Sequence, residues 1–230
     1  MFEKCKTIGW IIALIAATGM IWSNCRPRTP REQPVVEASP VVIDVPEGWI
    51  SLFDGNTLSG WESVNYGGEG TPYVKDGALI LPMATAGTFT GVCWVGDPLP
   101  VNNYIFYYEA RRMEGHDIFA GLSFPYEDAF ASLIIGGWAG IVNGISCING
   151  YDASENETTK HFWLKDKEWH AVQLIVTSDS ICASAGVEQV FDLSPAGKRL
   201  HLRAGILNSG LTLWTYMTTG EIRNIRIKRL

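Results

Sequence analysis

The chain has 230 residues, 47% of them hydrophobic and 18% charged, a balance that supports a sizeable core and excludes an intrinsically disordered chain. Its formal net charge of -6 offers no basic excess to replace phosphate counterions, which excludes nucleic acid as a partner class. Nine Trp, eight Tyr and nine Phe supply aromatic surface that could stack on sugar rings, although Trp more often fills core.

The amino terminus reads as a targeting region. Lys4 and Lys6 precede an apolar run from Ile8 to Trp22, which suits a signal-peptide core better than a spanning helix. Cys25 follows the run and is the candidate lipid anchor, as in bacterial lipoproteins, with an uncleaved signal anchor as the alternative. Residues 1–25 are therefore expected to be a signal peptide or membrane anchor, and residues 26–47 a linker. That linker carries Pro27, Pro30, Pro34, Pro40 and Pro46 and no strand or helix period, so it favours a semi-rigid polyproline II spacer. Either anchor places the rest of the chain in the bacterial envelope, facing periplasm or exterior, with the membrane as a partner.

From Gly48 to Leu230 the pattern is β. Strands are expected at 73–81, 103–113, 117–125, 130–138, 142–148, 170–177, 180–185, 188–193, 199–207, 211–218 and 221–229, with turns at Lys75-Asp76-Gly77 and Asn208-Ser209-Gly210. Many short strands without a helical period or internal repeat predict an all-β sandwich or jelly roll of two antiparallel sheets. Alternation places Phe106, Tyr108 and Ala110 inward, with Tyr107, Glu109 and Arg111 on the other face. By the same rule Ile118, Ala120, Leu122 and Phe124 point inward, and Asp117, Phe119 and Ser123 outward. Leu211 and Leu213 point inward, with Thr212, Trp214 and Tyr216 outward. Of the five Cys, Cys5 and Cys25 belong to the amino-terminal region. Cys93, Cys147 and Cys182 allow one disulfide plus a thiol, or three buried thiols, and show no zinc-ligand spacing.

GWISLFDGNTLSGW at 48–61, YVKDGALIL at 73–81, YYEARR at 107–112 and EIRNIRIKRL at 221–230 carry a resemblance that covers the domain. On these blocks residues 48–230 resemble the 3-keto-disaccharide hydrolase family, whose fold is a concanavalin A-like, laminin-G-like jelly roll. DASENETT at 152–159 is similar to a subgroup labelled family 16 glycoside hydrolase-like. The chain departs from the family's common form after the Glu/Arg strand, which here continues into EGHDIFAGLSFP, and before the last strand.

The resemblance implies action on sugars oxidised at C3. The 3-keto group acidifies the C2 hydrogen, a base removes it, and the anomeric substituent leaves by elimination. A cation, hydrogen-bond donors or a divalent metal of unknown identity would hold the developing enolate oxygen, and no nucleotide cofactor is called for. Glu109 is the first candidate for base or metal ligand, Asp117 with His116 the next, and Arg111 a candidate for enolate or hydroxyl binding. The plainer readings are an ion pair between Glu109 and Arg111 and a polar turn at His116-Asp117. Asn156 and Glu157 lie in a polar loop that could close over a substrate or bind calcium together with Asp152 and Glu155. Trp138, Trp214 and Tyr216 are the candidates for sugar contact, with core filling as the alternative. No carboxylate pair of the kind a retaining glycosidase needs stands on one strand. Two functions stay open: a hydrolase or lyase on 3-keto-glycosides, and a polysaccharide-binding module without turnover.

Overall fold

A computed structural model describes residues 44–85, 87–207 and 210–230. The expected signal or anchor segment 1–25, the candidate lipid anchor Cys25 and most of the Pro-rich linker lie outside the described residues.

The described chain folds as two antiparallel sheets. The eight-stranded sheet runs in the order β13 (Glu188–Leu193), β12 (Ile181–Ala185), β11 (His170–Val176), β6 (Tyr104–Gly115), β15 (Thr218–Arg229), β4 (Ala78–Leu81) and β3 (Tyr73–Lys75), and β1 (Ile50–Ser51) also pairs with β15. The seven-stranded sheet runs β10 (Lys160–His161), β9 (Val142–Ser146), β8 (Ala129–Gly136), β7 (Gly121–Tyr126), β14 (Thr212–Tyr216), β5 (Phe89–Trp94) and β2 (Trp61–Ser63). The all-β architecture expected from the sequence is thus present.

Period-2 patterning builds the core. Along β6, Tyr104, Phe106, Tyr108 and Ala110 are fully buried, while the intervening residues are half-exposed. They meet Leu122 and Phe124 of β7, Leu133 and Ile135 of β8 and Leu213 of β14 in one cluster. Two buried tyrosines bridge the layers: Tyr104 donates to the Pro125 carbonyl at 2.7 Å and Tyr108 to that of Ala120 at 2.9 Å. Each phenol thereby satisfies its hydroxyl inside an apolar layer.

The most distinctive sequence block has a structural role. Asp54 accepts the amides of Asn56 and Thr57 at 2.8 and 2.7 Å, which closes the DGNT turn. Trp61 is buried and donates its indole N–H to the Leu52 carbonyl at 2.6 Å. At Gly60 a Cβ would stand 2.6 Å from the Trp94 ring, so the approach requires glycine.

Several expected strands change on folding. The 73–81 segment is a hairpin, β3 and β4, turning at Asp76 and Gly77, both with positive φ. Segment 199–207 is not a ladder strand. It is an irregular run tied to Cys147–Asn149 by Cys147 N–H to His201 O at 2.7 Å and Asn149 N–H to Arg199 O at 2.8 Å. Strand β7 starts at Gly121 with Leu122 and Phe124 inward as expected, and the turn before it exchanges the expected faces of Ile118 and Phe119 only. Phe119 enters the main core and Ile118 a second cluster on the outer side. Strand β5 escaped the sequence pattern because five of its six residues are buried, which erases alternation. No disulfide joins the domain cysteines; Cys147 and Cys182 are thiols, and Cys93 is buried.

Candidate functional site

The outer face of the seven-stranded sheet carries an uninterrupted polar row. Strand register aligns Glu62 with Cys93, Cys93 with Thr212, Thr212 with Ser123, Ser123 with Ser132, and Ser132 with Ser146. Paired residues share a face, so these side chains form one line across six strands. Thr212, Ser123, Ser132 and Ser146 are fully buried, and each hydroxyl has a partner. Ser132 accepts the Arg203 amide at 3.1 Å, and Ser146 accepts the Ala153 amide at 2.9 Å. The row therefore anchors the two segments that carry Arg203 and Asp152 above it.

Those two residues are the centre of the candidate site. Arg203 Nη1 meets the Asp152 carboxylate at 2.6 Å, with both side chains partly exposed. The same guanidinium lies 4.7 Å over the Trp138 ring. Its Nε is buried and has no partner among the described residues. The Cys147 thiol reaches the other Asp152 oxygen at 3.7 Å, and burial together with the Asp152 charge pushes that thiol up to about 11. It is therefore a protonated donor at neutral pH rather than a nucleophile.

Trp138 is presented by a strained turn. Following Gly136 at φ 74, Trp138 and Ala139 both adopt left-handed backbone, at φ 47 and 61, within the short element α1 (Gly137–Gly140). Non-glycine residues in this region cost on the order of 1–3 kcal/mol each and persist where the surroundings over-determine them. Asp117 is one such determinant: its Oδ2 accepts the Ala139 amide at 3.2 Å, and its Oδ1 the Ile118 amide at 2.9 Å. Asn143 is another, accepting the Gly136 amide at 2.9 Å.

Beneath the turn lies Arg112, 1% exposed. It stacks with Phe119 and Trp163, each at 4.7 Å, pairs with Asp166 at 2.6 Å and donates to the Asp117 carbonyl at 3.3 Å. A Cβ at Gly136 would come within 2.6 Å of its Nη2, so the glycine makes room for the guanidinium.

The residues expected to form a site divide between the two sheets. Asp117 and Trp138 do come together, with Asp117 spent on holding the Trp138 turn. Trp214 is on the same side but fully buried, its indole donating to Ser123 at 3.2 Å, so it offers no ring face to a sugar. Gly91 and Gly121 make its slot: a Cβ at Gly121 would stand 2.5 Å from the ring. Tyr216 is half-buried against Phe89 at 5.0 Å, and His116 is exposed at the β6–β7 turn. Asn156 organises its loop by donating to the carbonyls of Ile145, Tyr151 and Asp152, and Glu157 pairs with Lys198 at 2.7 Å.

Glu109 and Arg111 lie elsewhere, on the outer face of the eight-stranded sheet. They do not pair with each other. Glu109 binds Arg223 at 2.7 Å, Asn224 at 3.0 Å and the Tyr107 hydroxyl at 3.1 Å, while Arg111 binds Glu221. Burial alone would raise the Glu109 carboxyl, but these donors outweigh it and hold the group below the ordinary range. So saturated a carboxylate is a poor base. Among the described residues no group of three or more His, Cys, Asp or Glu could hold a metal ion. The acids nearest the site, Asp152 and Asp117, are committed to a guanidinium and to backbone amides, a donor set that does not fit a divalent ion.

Arg203 and Arg112 escaped the sequence reading. Arg203 lies in segment 199–207, where the sequence predicts a strand and the chain is irregular instead. Ser123 and Thr212 were correctly placed on the outer face by alternation, but the cross-strand row they join depends on pairing that no single segment encodes.

Residues 48–228 match the sequence model of a family described as 3-keto-alpha-glucoside-1,2-lyase-like domain. Among curated proteins none matches in sequence. Solved structures of similar fold include the Crh5 transglycosylase in complex with NAG, at TM-score 0.55 and 12% identity over 79% of this chain and 84% of that one. A protein from Parabacteroides distasonis described as a glycosyl hydrolase aligns at TM-score 0.53 and 13% identity, covering 80% of this chain and 94% of its own. A Bacillus subtilis protein with a galectin-like fold aligns at TM-score 0.52 and 9% identity, covering 75% and 90%. At these identities the likeness concerns the fold.

Proposed function

This chain belongs to the 3-keto-alpha-glucoside-1,2-lyase-like domain family, and we propose that it cleaves 3-keto-glycosides at the Arg203–Asp152–Trp138 site. Its fold is of the carbohydrate-active kind. The observation that supports this site is the Arg203 guanidinium, set against the Asp152 carboxylate and the Trp138 ring while its Nε stays uncommitted.

Trp138 gives an apolar edge against which a sugar ring packs. Asp152 takes the proton from C2, whose acidity comes from the neighbouring ketone. The electron pair of the C2–H bond forms the C2=C3 bond as the carbonyl π pair moves to the C3 oxygen, and Arg203 donates to the enolate so formed. The enolate re-forms the ketone as the C1–O bond breaks and a C1=C2 double bond appears. The departing alkoxide takes a proton from water, the hydroxide left behind adds at C1, and the proton held by Asp152 goes to C2, which completes net hydrolysis and restores the carboxylate.

Incubation of a 3-keto-glucoside in D2O tests the step. Deuterium at C2 of recovered substrate or product, absent with Asp152→Asn, supports it. Cleavage that leaves C2 fully protiated would contradict it. A second reading, binding without turnover, is favoured by the 2.6 Å contact that already occupies Asp152 with Arg203. Saturable sugar binding with no C2 exchange would select it.

The proposal extends to location: an extracytoplasmic domain tethered to the bacterial membrane by residues 1–25 through the Pro-rich spacer. The apolar run from Ile8 to Trp22 and the Cys25 that follows it support this. Membrane fractionation of wild type and Cys25→Ala tests the lipid anchor. Loss of membrane association in the variant supports it, and retention indicates the uncleaved anchor.

A further inference from the structure

On the opposite side of the sandwich, register builds a second row that the proposed reaction does not use. Arg226 pairs with Tyr107, Tyr107 with Gln173, Gln173 with Ser184, and Ser184 with Gln189. These five side chains stand in line on the outer face of β15, β6, β11, β12 and β13. Four inter-strand steps of about 4.8 Å make the row roughly 19 Å long. Gln173, Ser184 and Gln189 make no side-chain hydrogen bond among the described residues. They line a shallow cleft of about 210 Å³ whose remaining wall includes Ile175 and Cys182.

The end of the row is cationic and aromatic. The Arg226 guanidinium rests on Tyr107 at 4.2 Å and Trp49 at 5.1 Å, and those two rings meet edge to face at 6.2 Å. A β-bulge at Asn224 turns both Arg223 and Arg226 onto this face. Glu109 and Glu221 neutralise Arg223 and Arg111. Arg226 and the adjoining Lys228 have no acidic partner among the described residues, and Arg226 Nε is buried without an acceptor. Among the described residues two cations thus stand without an acid beside a line of amide and hydroxyl groups, in a chain whose net charge is -6.

We propose that this face is a second binding surface, for a carboxylate-bearing polysaccharide lying across the strands. A uronate carboxylate meets Arg226 and Lys228, whose charge selects the anion. Sugar hydroxyls exchange hydrogen bonds with Gln173, Ser184 and Gln189, and a ring packs by Trp49 and Tyr107. The surface would hold the protein on an acidic glycan while the other face works.

Isothermal titration of the full-length chain with polygalacturonate oligosaccharides, and with the same oligosaccharides methyl-esterified, tests this. The expected result is binding of the acid form that weakens with salt and is largely lost on esterification. Arg226→Ala and Gln173→Ala should each weaken it by about tenfold or more with unchanged unfolding curves, and Arg203→Ala should leave it intact. No binding, equal binding of the esterified form, or loss in Arg203→Ala with Arg226→Ala unaffected would overturn the proposal. None of these bears on the proposed reaction, which is read separately by deuterium at C2.

Discussion

Arg203 reaches Asp152 across 51 residues of chain, at 2.6 Å, because two serines of one cross-strand row pin their segments side by side. The pair is partly exposed, and such pairs contribute roughly 0–1 kcal/mol to stability. Arg203→Lys keeps the charge but loses the planar stack on Trp138 and the fork of donors. We expect sugar affinity to fall about tenfold, as befits a stacked Arg contact, while the urea midpoint barely moves. A binding titration beside a urea melt checks both.

Asp117 should behave differently. It holds two backbone amides at the strained Trp138 turn, so Asp117→Ala leaves both without their acceptor. Lost hydrogen bonds to a charged acceptor predict a destabilisation of about 1.5–3 kcal/mol. A changed hydrogen-exchange rate at Ala139 would place the loosening at this turn, and unchanged protection there would refute the role.

Trp214 is a packing residue on this account. Trp214→Ala is expected to cost about 3–5 kcal/mol. Gly121→Ala should cost about 1–3 kcal/mol by overpacking against the same ring. Chemical denaturation measures both, and a neutral Gly121→Ala would show that the indole can shift.

Glu109 makes a pH prediction. Its folded carboxyl titrates below the ordinary range because Arg223, Asn224 and Tyr107 outweigh burial. A depressed folded pKa contributes stability that is present above the unfolded value, about 4.3, and lost as pH falls through the folded value. Thermal melts from neutral to acid pH should therefore show wild type and Glu109→Gln converging as pH falls past the unfolded value. A constant gap across the range would contradict this.

Much of the fold was legible because the inner faces alternate cleanly: Phe106, Tyr108 and Ala110 were placed correctly from pattern alone. The block at 48–61 was recognisable for the same physical reason that it is distinctive, since Asp54, Gly60 and Trp61 each meet a local constraint. The site was less legible. Glu109 looked catalytic because a carboxylate beside an arginine on an outer face is what both a site and an ion-pair ladder show. Only the β6–β15 register, which hands Glu109 to Arg223, separates the two. Trp214 looked exposed because alternation gives direction away from one core and says nothing of a second cluster on the other side.

The most direct test of the proposed site is a comparison of kcat/KM on one 3-keto-glucoside for wild type, Asp152→Asn, Arg203→Ala and Glu109→Gln. The account predicts turnover by wild type, a loss of about a hundredfold or more in the first two variants, and near-wild-type turnover in Glu109→Gln. Activity that survives Asp152→Asn and Arg203→Ala but vanishes with Glu109→Gln would move the chemistry to the opposite sheet and contradict the account.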